Sequence, residues 1–359
     1  MASCAGRNGE ACYSLNREGG LQYGPRSLNH CHSDPEAVMA ARIFIDGEAG
    51  TTGLQIRERL AARRDVELIS LDDASRKDPK ARRDALHAAD VAILCLPDDA
   101  AREAAALAEG SEVKLIDAST AHRTVDGWAY GFPEFRPGQR EAIATATRVS
   151  NPGCYPTGAI AILAPLVTAG MIPAEFPVTV NAVSGYTGGG KSLIQRYEAE
   201  GQDGYKPDAY WSYGLTLQHK HVPEMTRWSA LAHPPIFQPA VARYAQGMLV
   251  SVPLALWALP KKPVPADLHA VLAERYADAR FVRVAPLGEA QGLKELDPQA
   301  LNGTNLMELF VFADAATGRA VLTARLDNLG KGASGAAVQN MNLLLGLPED
   351  AGLEMQRAA

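Results

Sequence analysis

The chain has 359 residues, a formal net charge of −6 and 47% hydrophobic residues. That length suggests two domains, each large enough for its own core. The interspersed charges leave no basic stripe to neutralise a nucleic-acid backbone, and no apolar run approaches the roughly 18 uncharged residues of a bilayer span. A cytoplasmic protein with neither nucleic acid nor membrane as partner is expected.

Residues 1–40 are rich in Gly, Asn, Ser, Arg and His, without apolar period or signal-peptide core. They read as a flexible N-terminal extension, or as sequence upstream of a start at Met39. The cysteines are Cys4, Cys12, Cys31, Cys95 and Cys154. Their odd number and irregular spacing argue against a disulfide framework and for a reducing compartment. Cys4, Cys12 and Cys31 with His30 and His32 match no usual zinc spacing, so no metal is expected.

From Arg42 the pattern sharpens into a strand "RIFIDG", a turn "EAGTTG" and a helix "LQIRERLAAR". A strand "VELISL", a helix from about Asp78 to Ala88, a strand "VAILCL", a helix "DAAREAAALAE" and a strand "KLIDAS" follow. Such alternation marks right-handed βαβ units and a parallel sheet covered on both faces. Cys95, inside its strand, reads as a small buried hydrophobe. After Cys154 comes a helix from about Thr157 to Ala169, then the β-rich runs "PVTVNAV", "MLVSVPLAL", "FVRVAP", "LMELFVFA" and "AVLTARLDN", which predict a mostly antiparallel sheet. One helix, "PADLHAVLAERYA", interrupts them, and an amphipathic helix within "SGAAVQNMNLLLGL" closes the chain. The expected fold is α/β: a Rossmann-type nucleotide domain plus an α+β domain.

"DGEAGTTG" places Gly47, Gly50 and Gly53 between a strand and a helix, where backbone N–H groups can approach a pyrophosphate. Thr51 and Thr52 add hydroxyls, or simply cap the helix. At the end of the second strand, Asp72 and Asp73 favour NAD, whereas Ser75, Arg76 and Lys77 can hold a 2′-phosphate; the three clustered phosphate donors favour NADP.

In "VSNPGCYPTG", Pro156 suits the first turn of the following helix, so Cys154 stands at a helix N-terminus. The helix dipole and free N–H groups there predict a lowered thiol pKa, a nucleophilic thiolate and an oxyanion hole. A turn cysteine chosen for size is the plainer alternative. A thiolate nucleophile needs an acid–base partner. Of the eight histidines, His30 and His32 lie in the extension and His87, His233 and His269 stand singly. That leaves His122, or His219 and His221 in "LQHKHVPEM".

These motifs, with "YGFPEF", "NAVSGYTGGGK", "LNGTNLMELF" and "LDNLGKGASGAAVQNMNLLLGL", resemble N-acetyl-gamma-glutamyl-phosphate reductases of the shorter bacterial type from about Arg42 to Leu347. The resemblance implies NADPH-dependent reduction of N-acetylglutamyl 5-phosphate to the semialdehyde and phosphate in arginine biosynthesis. Cys154 is then the nucleophile and His219 the acid–base partner. It also implies that Leu96, Pro97, Ser119, Gly189 and Asn328 join the glycine turn, Ser75 and Arg76 at the cofactor. The last helix is expected to fold back onto the nucleotide domain, giving residues 41–150 with 330–359 as the NADP-binding domain. Residues 151–329 form the catalytic and dimerisation domain, with a homodimer or a tetramer of dimers expected. Reductases of aspartyl phosphate or of a lysine-pathway analogue would use the same chemistry; a thiol acyltransferase working without nicotinamide is a rival of another class.

Overall fold

The computed structural model describes residues 40–353; the expected N-terminal extension and residues 354–359 lie outside the described part. Thirteen strands are described: β1 (Ala41–Asp46), β2 (Val66–Ile69), β3 (Val91–Leu94), β4 (Lys114–Asp117), β5 (Ala129–Tyr130), β6 (Arg148–Ser150), β7 (Thr179–Gly185), β8 (Tyr210–Ser212), β9 (Ile236–Ala242), β10 (Met248–Ala255), β11 (Val282–Val284), β12 (Met307–Asp314) and β13 (Arg319–Leu326). The α-helices are α1 (Thr51–Leu60), α2 (Pro79–Ala88), α3 (Asp98–Leu107), α4 (Gln139–Ala144), α5 (Cys154–Thr168), α6 (Gly190–Glu198), α7 (Val222–Trp228), α8 (Pro265–Arg275), α9 (Leu287–Gly292) and α10 (Gly335–Leu345).

The first six strands form a sheet in the order β2-β1-β3-β4-β6-β5, with every pairing parallel. Their residues are apolar in continuous runs, as in "VAIL" of β3, because helices cover both faces. One covering element comes from the far end of the chain. Val338, Met341 and Leu344 of α10 pack with Ile43, Val91 and Ile93 in one buried cluster, and Lys114 Nζ donates to the Leu344 carbonyl at 2.6 Å. Each fully buried side chain of this size contributes about 1.5–3 kcal/mol.

The remaining strands form a second sheet in the order β11-β12-β13-β10-β7-β9-β8. Four of its six pairings are antiparallel; β7–β9 and β11–β12 are parallel. Its inner face, including Val250, Val252, Leu322 and Ala324, packs on α5, which is buried along almost its whole length. Gly158 permits the approach: a Cβ there would lie 2.8 Å from Val250 Cγ2. So α5 lies flat on the sheet and its first residue, Cys154, has a fixed place.

Candidate active site

Gly153 takes an extended conformation and caps α5, so Cys154 is the helix's first residue. Pro156 sits in the first turn, where an N–H has no intrahelical partner to lose. The Gly153 N–H donates to Glu224 Oε1 at 2.9 Å, Tyr130 Oη donates to the same oxygen at 2.7 Å, and Arg123 Nη1 donates to Glu224 Oε2 at 3.1 Å. Arg123 is held further by the carbonyls of Asn151 and Ala118. A Cβ on residue 153 would stand 2.5 Å from Arg123 Nη1 and 2.6 Å from His221 Nε2. Glycine is therefore required there if guanidinium and imidazole are to sit against the backbone preceding the thiol.

Cys154, Arg123, Tyr213, His219, Lys220 and His221 line one cavity of about 460 Å³. Burial pushes the Cys154 thiol up to about 11, although Arg123 and the backbone N–H groups of Tyr155 and Cys154 pull it down. This corrects the expectation of a lowered thiol pKa. The helix N-terminus is present, but tertiary burial outweighs it in the free protein. Burial likewise lowers His219 to about 4, with Lys220 adding to the effect. The buried His221 is held well below its ordinary value by burial first and Arg123 next. The His221 N–H donates to His219 Nδ1 at 3.1 Å, so the neutral His219 ring carries its proton on Nε2. His219 thus presents its Nε2–H as a hydrogen-bond donor.

The cavity continues toward the parallel sheet. Thr51, Thr52, Ala118 and Gly190 line both it and a neighbouring cavity of about 300 Å³ bounded by Gly50, Cys95, Leu96 and Lys191. Leu96 in turn borders a third, of about 540 Å³, with Gly47, Arg57, Asp73, Arg76 and Lys77. At the glycine turn Gly47 has φ +89°, and a Cβ there would strike the Cys95 carbonyl. A Cβ on Gly53 would lie 2.7 Å from the Gly47 carbonyl. The turn is folded tightly on itself beside a cavity, the cradle that a dinucleotide requires. Among the described residues no group of three His, Cys, Asp or Glu side chains is placed to hold a metal. No helix among them is long and apolar enough to cross a membrane.

Residues 42–146 match the family model for the semialdehyde dehydrogenase NAD binding domain, and residues 154–328 match that for the semialdehyde dehydrogenase dimerisation domain. A protein of Nostoc sp. named N-acetyl-gamma-glutamyl-phosphate reductase 2 is 57% identical over 318 residues, spanning 87% of this chain and 99% of its own. The chain belongs to the N-acetyl-gamma-glutamyl-phosphate reductase family. A second such reductase, from Mesorhizobium japonicum, is 55% identical over 86% of this chain and all of its own. Among solved structures, aspartate semialdehyde dehydrogenase II of Vibrio cholerae superposes with a TM-score of 0.63 at 16% identity, covering 86% of this chain and 98% of that one. An NADP-bound aspartate semialdehyde dehydrogenase from Candida albicans superposes at 0.59 and 12% identity, covering 85% and 98%. At such identities the likeness is one of fold.

Within this reductase-family chain, the structure gathers Cys154, His219, Thr51, Thr52, Gly189 and Asn328 around the first cavity. Gly50 and Leu96 line the second, and Gly47 and Arg76 the third. Others named from the sequence stand behind these walls. Gly53 packs under the turn, Pro97 caps α3, and Ser119 Oγ donates to Asp117 at 2.8 Å. The Ser75 N–H donates to Asp72 Oδ1 at 2.8 Å. His122 is bound through Nδ1 to Asp117 at 2.6 Å and stacked on Trp128, away from these cavities. Sequence reasoning missed Arg123, Lys220, Glu224 and Lys191. The first three adjoin the residues it weighed, in "AHR" and "HKHVPE".

Proposed function

We propose that this protein reduces N-acetyl-L-glutamyl 5-phosphate with NADPH to N-acetyl-L-glutamate 5-semialdehyde and phosphate, in the cytoplasm and for arginine biosynthesis. The observation that carries the reading is the shared cavity. Cys154, the donor His219 and the threonines of the glycine turn line one space, so a nucleophile and a nicotinamide can meet the same acyl carbon. The Cys154 sulfur attacks that carbon and displaces phosphate, whose oxygen takes up the thiol proton, leaving a thioester on the chain. Arg123 and Lys220 offer positive charge to the phosphoryl group within the same cavity. The cofactor supplies the hydride that reduces the thioester carbon. Collapse releases the aldehyde, and the departing sulfur takes its proton from a solvent molecule positioned by the His219 Nε2–H.

NADP, rather than NAD, is favoured by the Arg57, Arg76 and Lys77 cations around the third cavity. Gly47, Gly50, Thr51, Thr52, Leu96, Gly189, Asn328 and Arg76 are the residues proposed to meet it, with Gly53, Pro97 and Ser119 shaping the walls. Residues 41–150 with 330–359 form the nucleotide domain in this reading, and 151–329 the catalytic domain. Two copies pair through the outer face of the second sheet. The deciding experiment is phosphate-dependent oxidation of N-acetylglutamate semialdehyde against aspartate semialdehyde, followed as NADPH formation. Faster turnover of the aspartate compound would transfer the protein to the related reductases, and no NADPH formation with either would defeat the reading.

A further inference from the structure

The three cavities between Cys154 and Arg76 are linked by shared walls, Thr51, Thr52, Ala118 and Gly190 between the first two and Leu96 between the second and third, and their charges are unevenly placed. The far cavity carries Arg57, Asp73, Arg76, Lys77, Asp46, Glu48 and Arg82. The middle one is lined by Gly50, Thr51, Thr52, Cys95, Leu96, Ala118, Gly190 and a single charged side chain, Lys191. Arg57 and Arg82 are engaged by Glu48 and Asp46, and Arg76 by Asp73. Lys191 has no hydrogen-bond or ion-pair partner among the described residues, and no carboxylate borders its cavity.

Lys191 comes from the other half of the molecule. It is the second residue of α6, after an arm of glycines at 188–190. The base of that arm is tied to the second sheet's side. The Thr187 N–H and Oγ both donate to the Ala245 carbonyl, and Asn328 Nδ2 donates to Thr187 Oγ at 3.1 Å. Its tip nevertheless lies beside the glycine turn. A cation delivered there, beside the N-terminus of α1, fits an anionic diphosphate and not the adenine or nicotinamide rings, neither of which is an anion.

We propose that Lys191 is the counter-charge for the cofactor's diphosphate, so that α6 clamps the nucleotide from the catalytic side. The inference rests on the cofactor reading above. A flexible ammonium can swing onto the phosphates after the nucleotide enters the turn, which ties nucleotide binding to the position of the glycine arm. Lys191 is exposed, so its replacement does not threaten the core.

The test measures binding alone, by cofactor fluorescence and calorimetry, on the full chain. The probes are NADPH and adenosine 2′-monophosphate, which keeps the ribose phosphate but has no diphosphate. Lys191→Ala should weaken NADPH about tenfold or more, the range for one charge-assisted contact, and leave the monophosphate unchanged. Lys191→Arg should keep most of the affinity. The dependence of NADPH affinity on salt should be shallower in the alanine variant. Unchanged NADPH affinity, or equal loss for both probes, overturns the assignment. Failure of the unaltered protein to bind NADPH would instead strike at the cofactor reading itself.

Discussion

At Cys154 the helix N-terminus and the burial of the sulfur act in opposite directions, and burial prevails in the free protein. Alkylation of Cys154 by iodoacetamide should therefore climb with pH toward an inflection near 11. A rate already level at about pH 8, below the ordinary thiol value, would show a preformed thiolate and contradict this. The thiol's identity was legible in "NPGCYP", but its pKa was not, because its burial and the Arg123 charge beside it are set by segments distant in sequence. For the proton, His219→Asn should lower steady reduction by about 10²- to 10⁴-fold while a single turnover still releases phosphate. His221→Asn should cost less, since His221 offers no proton by a comparable backbone contact. Rapid-quench phosphate release beside NADPH absorbance separates the two; the reverse ranking would move the donor to His221. Arg76 pairs with Asp73 at 3.3 Å and borders the third cavity. Arg76→Ala should weaken NADPH by about tenfold and NADH little, and equal losses would remove Arg76 from the 2′-phosphate.

Among the elements, those with strong period or continuous apolar runs were readable. Every strand expected between Arg42 and Asp117, and both helices at the chain's later end, fall within a few residues of the structure. β9 was not read, for a physical reason: Pro239 interrupts "IFQPAVA" and cannot donate to a ladder, which argues against an interior strand. The strand tolerates it there while the Pro239 carbonyl accepts from the Tyr213 N–H at 3.2 Å. A π-helical turn over Gly330–Ser334 leads into α10 and was equally hidden, since its reason is a tertiary contact. Gly332 packs against the first residue of α5, and a Cβ there would lie 2.8 Å from Cys154 Cβ. Neither atom sits on a flexible side chain, so Gly332→Ala must displace the turn or the nucleophile. Displacement of a reacting group by about 1 Å can cost 10²-fold in rate. The expected outcome is a loss of about that size in turnover, with NADPH affinity and melting temperature little changed. Full activity would mean that α5 yields freely and that its first residue is not held as described.

On the scale of the molecule, sequence pattern distinguished a parallel half from a β-rich half but gave no strand order, because pairing between distant strands depends on which faces meet. The second sheet has its inner face on α5. Outward residues Asn181, Val183, Gln238, Leu249 and Ser251 instead border an open cavity of about 650 Å³ together with Tyr210, Leu215 and Leu217. Leu215 is 80% exposed and Leu217 58% exposed, on the loop that runs directly into His219. Leu217 also has φ +60°, a conformation that leucine adopts only when its surroundings hold it there. A second copy laid across this face by a twofold axis would cover both leucines and brace the loop. Leu215→Asp should then place a carboxylate in each copy's interface, where desolvation opposes pairing. The chain should still fold, because Leu215 contributes little to its own core. Sedimentation at micromolar concentration should show a dimer for the unaltered protein and a monomer for the variant. Turnover of the variant should fall with its assembly, and that of the unaltered protein should fall on dilution, since the unbraced loop carries His219, the proposed acid–base residue. If Leu215→Asp remains dimeric, the copies meet elsewhere. If it is monomeric with full turnover, the His219 loop holds its shape without a partner.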